Sequence, residues 1–476
     1  MNSNSEFEFL RKSFGVLQRI ASIEFDQAKS KWSTLQYAER AFESVHIGRS
    51  RTNENKRRKR SKSEHGRSKY RRKNLSTSDL LVYSVSSGGE VVEAIKCAVA
   101  EAQCSLTQIR EGKHPNFRDC YGFYRIDDDI DFTFEDIPDS LRKTIKNCEK
   151  EKQRFIDKKL HKANEFEKDW EFFMESWNNN LMEDRDLKKQ VRKGITPIYR
   201  QKIWTYCINK RVGLKRNKNK DYYRNLLKRN EGRSNPNIKQ IELDLLRSLP
   251  NNSKFQTFMS DSVIKLRNVL VAFSWHCEQI GYCQGLNRIA AIALLVLPEE
   301  DAFWCLVAIV EHILPKDYYT NVLLGAQTDQ KVLRDFIMKL VPKVYNKLEE
   351  KRVDLSLFTL SWFLAVFVEN LPVETYFRIW DSFLLEGDKI LFRFAIAIFK
   401  KIEEDICKLN ENPEIHAFMR IIQRSLYDHH TLADIAFKLG PFSKKSLANK
   451  RELYLEETKK ELEEWKKRES RNKTIE

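Results

Sequence analysis

Arg247 and Gln284 are the two side chains of this 476-residue sequence whose types and settings suit phosphoryl chemistry. Arg247 closes the segment Ile241-Glu242-Leu243-Asp244-Leu245-Leu246-Arg247, and Gln284 is the centre of Gly281-Tyr282-Cys283-Gln284-Gly285-Leu286-Asn287. Hydrolysis of a nucleotide's terminal phosphate needs a cation over the transferring oxygens and a group that orients the attacking water. A guanidinium and a carboxamide offered on one surface would supply both. The chain has no GxxxxGK[ST] or GxGxxG phosphate loop, so it is not expected to hold the nucleotide itself, and no cofactor is expected. The pair reads as what a nucleotide-hydrolysing partner lacks.

Each residue also has a plainer reading. Asp244 and Arg247 are three apart, so on a helix they lie side by side, and Ser248-Leu249-Pro250-Asn251-Asn252 ends that helix. An Asp–Arg pair with a cation at a helix C-terminus explains the heptapeptide alone, and alone it is the stronger reading. Gln284 sits on a turn between a helix expected over Leu266–Ile280 and an apolar helix over Ile289–Leu297. Ordinary helix–helix turns often carry a polar residue, but flanking Gly281 and Gly285 permit backbone geometry other residues resist. They suit a rigidly presented loop.

The elements that must position the pair are helices. Leu266, Val269, Leu270, Phe273 and Cys277 are spaced for one buried helix face. Apolar helical stretches follow at Phe303–Leu314, Val332–Leu348, Leu357–Phe367 and Ile390–Leu409, with Pro298, Pro315, Gly325, Pro342, Pro372 and Gly387 as separators. The expected architecture is all-α, one large multi-helix domain over residues 181–445. Before it come an N-terminal helical segment (1–46), a disordered basic tract (47–76) and a helical, then acidic linker region (77–180) with a helix around Val91–Ile109. Residues 446–476 form a charged C-terminal helix, expected to be solvated or weakly coiled through Leu453, Leu455, Leu462 and Trp465.

The +17 formal charge is uneven: Arg49 to Lys73 holds 13 Lys/Arg against 2 Glu, leaving only +6 for the rest. Nine cysteines show neither CxxC pairs nor zinc spacing, which suits reduced thiols in a cytosolic protein. His312, His416, His429 and His430 lack metal-ligand spacing, so no metal is expected. The N-terminus has no signal-peptide pattern, and the longest apolar run, Ile289–Leu297, is too short to span a bilayer. A soluble intracellular protein is expected.

Four segments in order then resemble the TBC-domain Rab GTPase-activating proteins, over about Gly194 to Gly440. They are Gly194-Ile195-Thr196-Pro197-Ile198-Tyr199-Arg200-Gln201-Lys202-Ile203-Trp204, the IxxDxxR segment ending at Arg247, the YxQ segment Tyr282-Cys283-Gln284, and Arg378-Ile379-Trp380-Asp381-Ser382-Phe383-Leu384-Leu385-Glu386-Gly387. Within that family the chain is most similar to the Armus branch, through Gln240–Asn252, Leu266–Asn287, Glu300–Leu306, Asp317–Leu324 and the upstream Tyr121-Gly122-Phe123.

The resemblance implies that Arg247 and Gln284 are catalytic fingers inserted into a GTP-bound Rab-family small GTPase. Arg247 would neutralise charge on the β- and γ-phosphates, and Gln284 would position the water in place of the GTPase's own glutamine. Asp244, Tyr282 and Gly285 would support the two segments, and Arg200 and Trp204 would support the fold around them. It further implies a cytoplasmic protein, peripheral on endosomal membranes, that regulates vesicle traffic. Residues 49–73 could hold an anionic membrane at about 1 kcal/mol per basic residue. A plain linker, an importin site or nucleic acid are alternatives, nucleic acid the weakest because no recognition element accompanies the tract. Two whole-protein alternatives stand beside GTPase activation: a catalytically silent Rab-binding scaffold and a nuclear protein led by the basic tract. The substrate Rab and the oligomeric state are not encoded legibly.

Overall fold

A computed structural model describes residues 119–123, 139–178, 184–368, 370–440 and 442–473, all within one compact unit. The expected helix at 1–46, the basic tract at 47–76 and the helix around Val91–Ile109 lie outside the described residues. What is described is helical, as expected; the sole β-type pairing among these residues is one antiparallel bridge between Phe123 and Asn252.

The helices run in the order α1 (Asp139–Asn178), α2 (Asp184–Lys193), α3 (Pro197–Lys218), α4 (Tyr222–Arg229) and α5 (Ile238–Asp244). Next come α6 (Asp261–His276), α7 (Leu286–Val296), α8 (Glu299–Ala308) and, after a π-helical turn at Ile309–Ile313, α9 (Leu324–Leu340) and α10 (Pro342–Glu350). The remainder are α11 (Ser356–Leu364), α12 (Val373–Glu386), α13 (Lys389–Lys401), α14 (Glu403–Lys408), α15 (Asn412–Arg424), α16 (His429–Lys438) and α17 (Lys444–Lys473).

Two helix groups carry the four segments singled out in the sequence. In the first, α6, α7 and α8 pack on one another, with α3 against α8 and α5 against α6. Helix α6 starts where the Ser260 hydroxyl accepts from the Val263 N–H, and it buries Leu266, Val269, Leu270 and Phe273 as the spacing predicts. It ends at His276, four residues short of the expected Ile280, because the Cys277 carbonyl turns back to accept the N–H groups of Ile280 and Gly281. Helix α7 is apolar nearly all round and buried accordingly. In the second group α12 packs on α2, α3 and α13, and α13 on α16.

Other expected helices are interrupted. Val332–Leu348 divides at Pro342, whose missing N–H suits a first-turn position, and Gly325, expected in a separator, lies inside α9. Leu357–Phe367 stops at Leu364, and Val366 and Phe367 take left-handed backbone at φ +50° and +63°. Ile390–Leu409 divides at Ile402.

The terminal helix α17 is not the solvated or weakly coiled element its composition suggests. It lies along α9, where the Arg451 guanidinium grips both carboxylate oxygens of buried Asp329 at 2.6 and 2.8 Å and also reaches Asp388. Leu447, Thr458 and Leu462 are buried there, Lys331 reaches Glu457 and Glu461, and Leu453 remains exposed on the other face. Helix α1 is also fastened: Trp170 is fully buried and its indole N–H donates to the Gly194 carbonyl at 2.9 Å.

Candidate functional site

Arg247 lies in the turn that follows α5, three residues past its end, not on the helix itself. Its Nε donates to Asp244 Oδ1 at 2.7 Å, and a terminal nitrogen contacts the same oxygen. The expected Asp–Arg pair is therefore present. Asp244 is fully buried while the Arg247 side chain is 30% exposed, so the cation faces the surface and the carboxylate anchors it from beneath.

Asp244 also joins this turn to the glutamine-bearing one. Gln240 Nε2 donates to Oδ1 at 3.0 Å, and the Tyr282 hydroxyl donates to Oδ2. Burial, then the neighbouring Asp244 carboxylate, hold the Tyr282 hydroxyl well above its usual range, so it stays a donor. A second tie runs alongside: Asn287 Nδ2 donates to Ser248 Oγ at 2.9 Å, and Ser248 Oγ donates to the Asp244 carbonyl at 2.7 Å. Asn287 Oδ1 accepts the Gly285 N–H at 3.1 Å, closing the first turn of α7.

Both glycines of the turn have positive φ, +61° at Gly281 and +107° at Gly285. A Cβ at Gly281 would come within 2.5 Å of Asn237 Nδ2, and one at Gly285 within 3.0 Å of the Leu364 carbonyl oxygen. Glycine at 285 therefore lets the turn rest directly on the end of α11. Gln284 is half-buried at its apex, and among the described residues its carboxamide makes no hydrogen bond. Cys283 beside it is no nucleophile: burial, then Asp244, push its thiol up to about 12.

Arg200 and Trp204 are not part of this cluster. They meet Asp381, far along the chain, in the second helix group. Arg200 Nε and Nη2 donate to Asp381 Oδ1 and Oδ2 at 2.9 and 3.0 Å, and Trp204 Nε1 donates to Oδ1 at 2.8 Å. Burial pulls the Arg200 pKa down, yet Asp381 and Tyr121 hold it above its ordinary value, so the buried guanidinium stays charged. Trp204 stacks on Trp380 at 5.5 Å between centroids. Arg378 donates to the carbonyls of Val191 and Arg192, and a Cβ at Gly194 would lie 3.1 Å from its Nη1. The four sequence segments thus form two clusters. One presents Arg247 and Gln284; the other is a buried ion-pair and tryptophan node that fixes α3 to α12.

The sequence reading passed over Ser248, Asn287, Gln240 and Asn252. The usable signal was weak: Ser248, Asn252 and Asn287 are polar residues at 0% or 1% exposure next to the two segments, which only packing reveals, and Gln240 is exposed.

Residues 197–407 match the family model described as the Rab-GTPase-TBC domain. The chain is 45% identical over 298 residues to the mouse and human TBC1 domain family member 2B, and 44% over 287 residues to human member 2A. These alignments cover 62%, 62% and 60% of this chain but only 31% of each relative, so the chain spans under a third of their length. Among solved structures it is similar to the Chlamydomonas flagellar RabGAP TBC domain, at 26% identity and TM-score 0.52, covering 68% of this chain and 99% of that one.

Proposed function

We propose that this chain, whose residues 197–407 match the Rab-GTPase-TBC domain model, accelerates GTP hydrolysis on a Rab-family small GTPase by lending it Arg247 and Gln284. One observation carries the reading. The arginine turn and the glutamine turn are tied together through Asp244–Tyr282 and Ser248–Asn287, so the backbones that bear the two side chains are presented as one unit. Such preorganisation is what stabilisation of a charged transition state requires.

Arg247 exchanges its contact with Asp244 for the β- and γ-phosphate oxygens of the partner's nucleotide, where negative charge spreads during transfer. Asp244 keeps Gln240 and Tyr282 as donors when that happens, so the carboxylate is not stranded in the interior. The Gln284 carboxamide accepts from and donates to the attacking water, holding it in line with the phosphorus. In this reading the nucleotide belongs to the partner, and the chain completes the partner's site.

An arginine supplied in trans is worth about 10³–10⁵ in rate, or roughly 4–7 kcal/mol of barrier at about 1.36 kcal/mol per decade. Phosphate release from a panel of GTP-loaded Rab-family GTPases tests this. Stimulation of at least one member, lost by about that factor in Arg247→Ala and strongly reduced in Gln284→Ala, is the expected result. Tight binding without stimulation of any member would replace activation with a binding scaffold.

A further inference from the structure

The turn that bears Arg247 is held from a place 74 residues before the matched domain begins. Residues 119–123 form a self-closed turn: the Asp119 carboxylate accepts the N–H groups of Tyr121 and Phe123 at 2.9 Å each. The Gly122 N–H donates to the Asp119 carbonyl, and the Asp119 N–H to the Phe123 carbonyl. One side of this turn grips the chain after Arg247. Asn252 Nδ2 donates to the Tyr121 carbonyl at 3.1 Å, the Ser253 N–H donates to the Gly122 carbonyl at 2.9 Å, and Phe123 bridges Asn252. Gly122 has φ +92°, and a Cβ there would meet Ser253 Oγ at 3.0 Å, so only glycine allows this approach.

The other side of the turn is anchored in the buried node. The Tyr121 hydroxyl meets Arg200 Nη1, and its ring stacks on Phe377 at 4.4 Å. Asn252 is fully buried, and its Oδ1 also accepts the Lys254 N–H, starting a 3₁₀ turn. The loop after Arg247 is therefore pinned at both ends, at Ser248 by Asn287 and at Asn252 by residues 119–123.

We propose that Asp119–Phe123 is a positioning element of the reaction surface that acts on Arg247 through Asn252. It rests on the reading of Arg247 given above. Without it the backbone carrying Arg247 keeps one anchor and loses the other, and a displacement near 1 Å suffices to cost about 10²-fold in rate. The strap touches no substrate.

The test uses the full 476-residue chain and the Rab-family GTPase most strongly stimulated in the panel. Asn252→Asp keeps the acceptor for Lys254 but sets an oxygen against the Tyr121 carbonyl; Tyr121→Phe removes only the hydroxyl bond to Arg200. Both should lower the saturated single-turnover rate, about ten- to a hundredfold for Asn252→Asp. Affinity for the same GTPase loaded with a non-hydrolysable GTP analogue should stay within about twofold. In an Arg247→Ala background neither change should lower the rate further, since both act through that arginine. Hydrogen exchange across residues 248–256 should rise in Asn252→Asp, which distinguishes a loosened loop from an unfolded chain. Full rates in both variants alongside an inactive Arg247→Ala would overturn the strap; a fully active Arg247→Ala would overturn the arginine reading instead.

Discussion

A carboxylate withdrawn entirely from water, as Asp244 is, persists only where donors replace its lost hydration. Here three side chains do so, and one of them is the arginine that the proposed mechanism moves. Gly285 matters as much to the same surface, for a steric reason. At φ +107° and 3.0 Å from the Leu364 oxygen, any Cβ forces the turn off α11. Gly285→Ala is expected to lower stability by roughly 1–3 kcal/mol and to reduce stimulation along with it. Chemical denaturation and phosphate release check this, and an unchanged unfolding midpoint would refute it. The arginine, its aspartate and the glycine-flanked glutamine were legible because each is local: spacing by three and two glycines around one residue. Ser248, Asn287 and Asn252 were not, since a polar residue's burial depends on segments that sequence does not place beside it.

Elements were read better in kind than in extent. The apolar period that identified α6 runs on through Ile280, and nothing in it shows that Cys277 reverses the chain. The doublet Val366–Phe367 continues an apolar run yet sits in left-handed backbone, offset by burial of both side chains and by Trp380 Nε1 donating to the Val366 carbonyl. Helix α17 misled in the opposite direction. Dense Lys and Glu look solvated, but here they include ion partners for carboxylates on α9 and at the start of α13. Arg451→Ala strands Asp329 without its cation, and removing one partner of such a buried pair costs about 3–5 kcal/mol. The expected outcome is a lowered melting temperature with faster hydrogen exchange along α17. Unaltered protection of that helix would show that the ion pairs do not hold it.

At the scale of the whole molecule, buried ion pairs join segments far apart in sequence, which is why pattern reading assigns Arg200 and Trp204 a supporting role in the fold without naming Asp381 as their partner. Arg200 and Asp381 are 181 residues apart, and Arg192 and Glu386 are 194. Desolvation would raise the Glu386 carboxyl, but Arg192 and Lys389 hold it down to about 2 from an ordinary 4.5. A depressed carboxyl contributes stability that is fully present above 4.5 and is lost as pH falls towards 2. Glu386→Gln should therefore destabilise the protein by roughly 1–3 kcal/mol at neutral pH, with the difference shrinking between those two values. Denaturation midpoints of both proteins across that window provide the check; a constant difference would contradict it.

The long reach of the Arg200–Asp381 pair also sets a schedule. During synthesis Arg247 and Gln284 emerge long before Asp381, which follows Gln284 by about 100 residues, or ~5–20 s at typical elongation rates. Until α12 appears, Arg200 has no carboxylate and Tyr121 has no Phe377 to stack on, so the anchor of the strap does not exist. A nascent chain can display both side chains for seconds without the buried node that anchors residues 119–123, so the proposed reaction surface is complete only when the C-terminal half has been made.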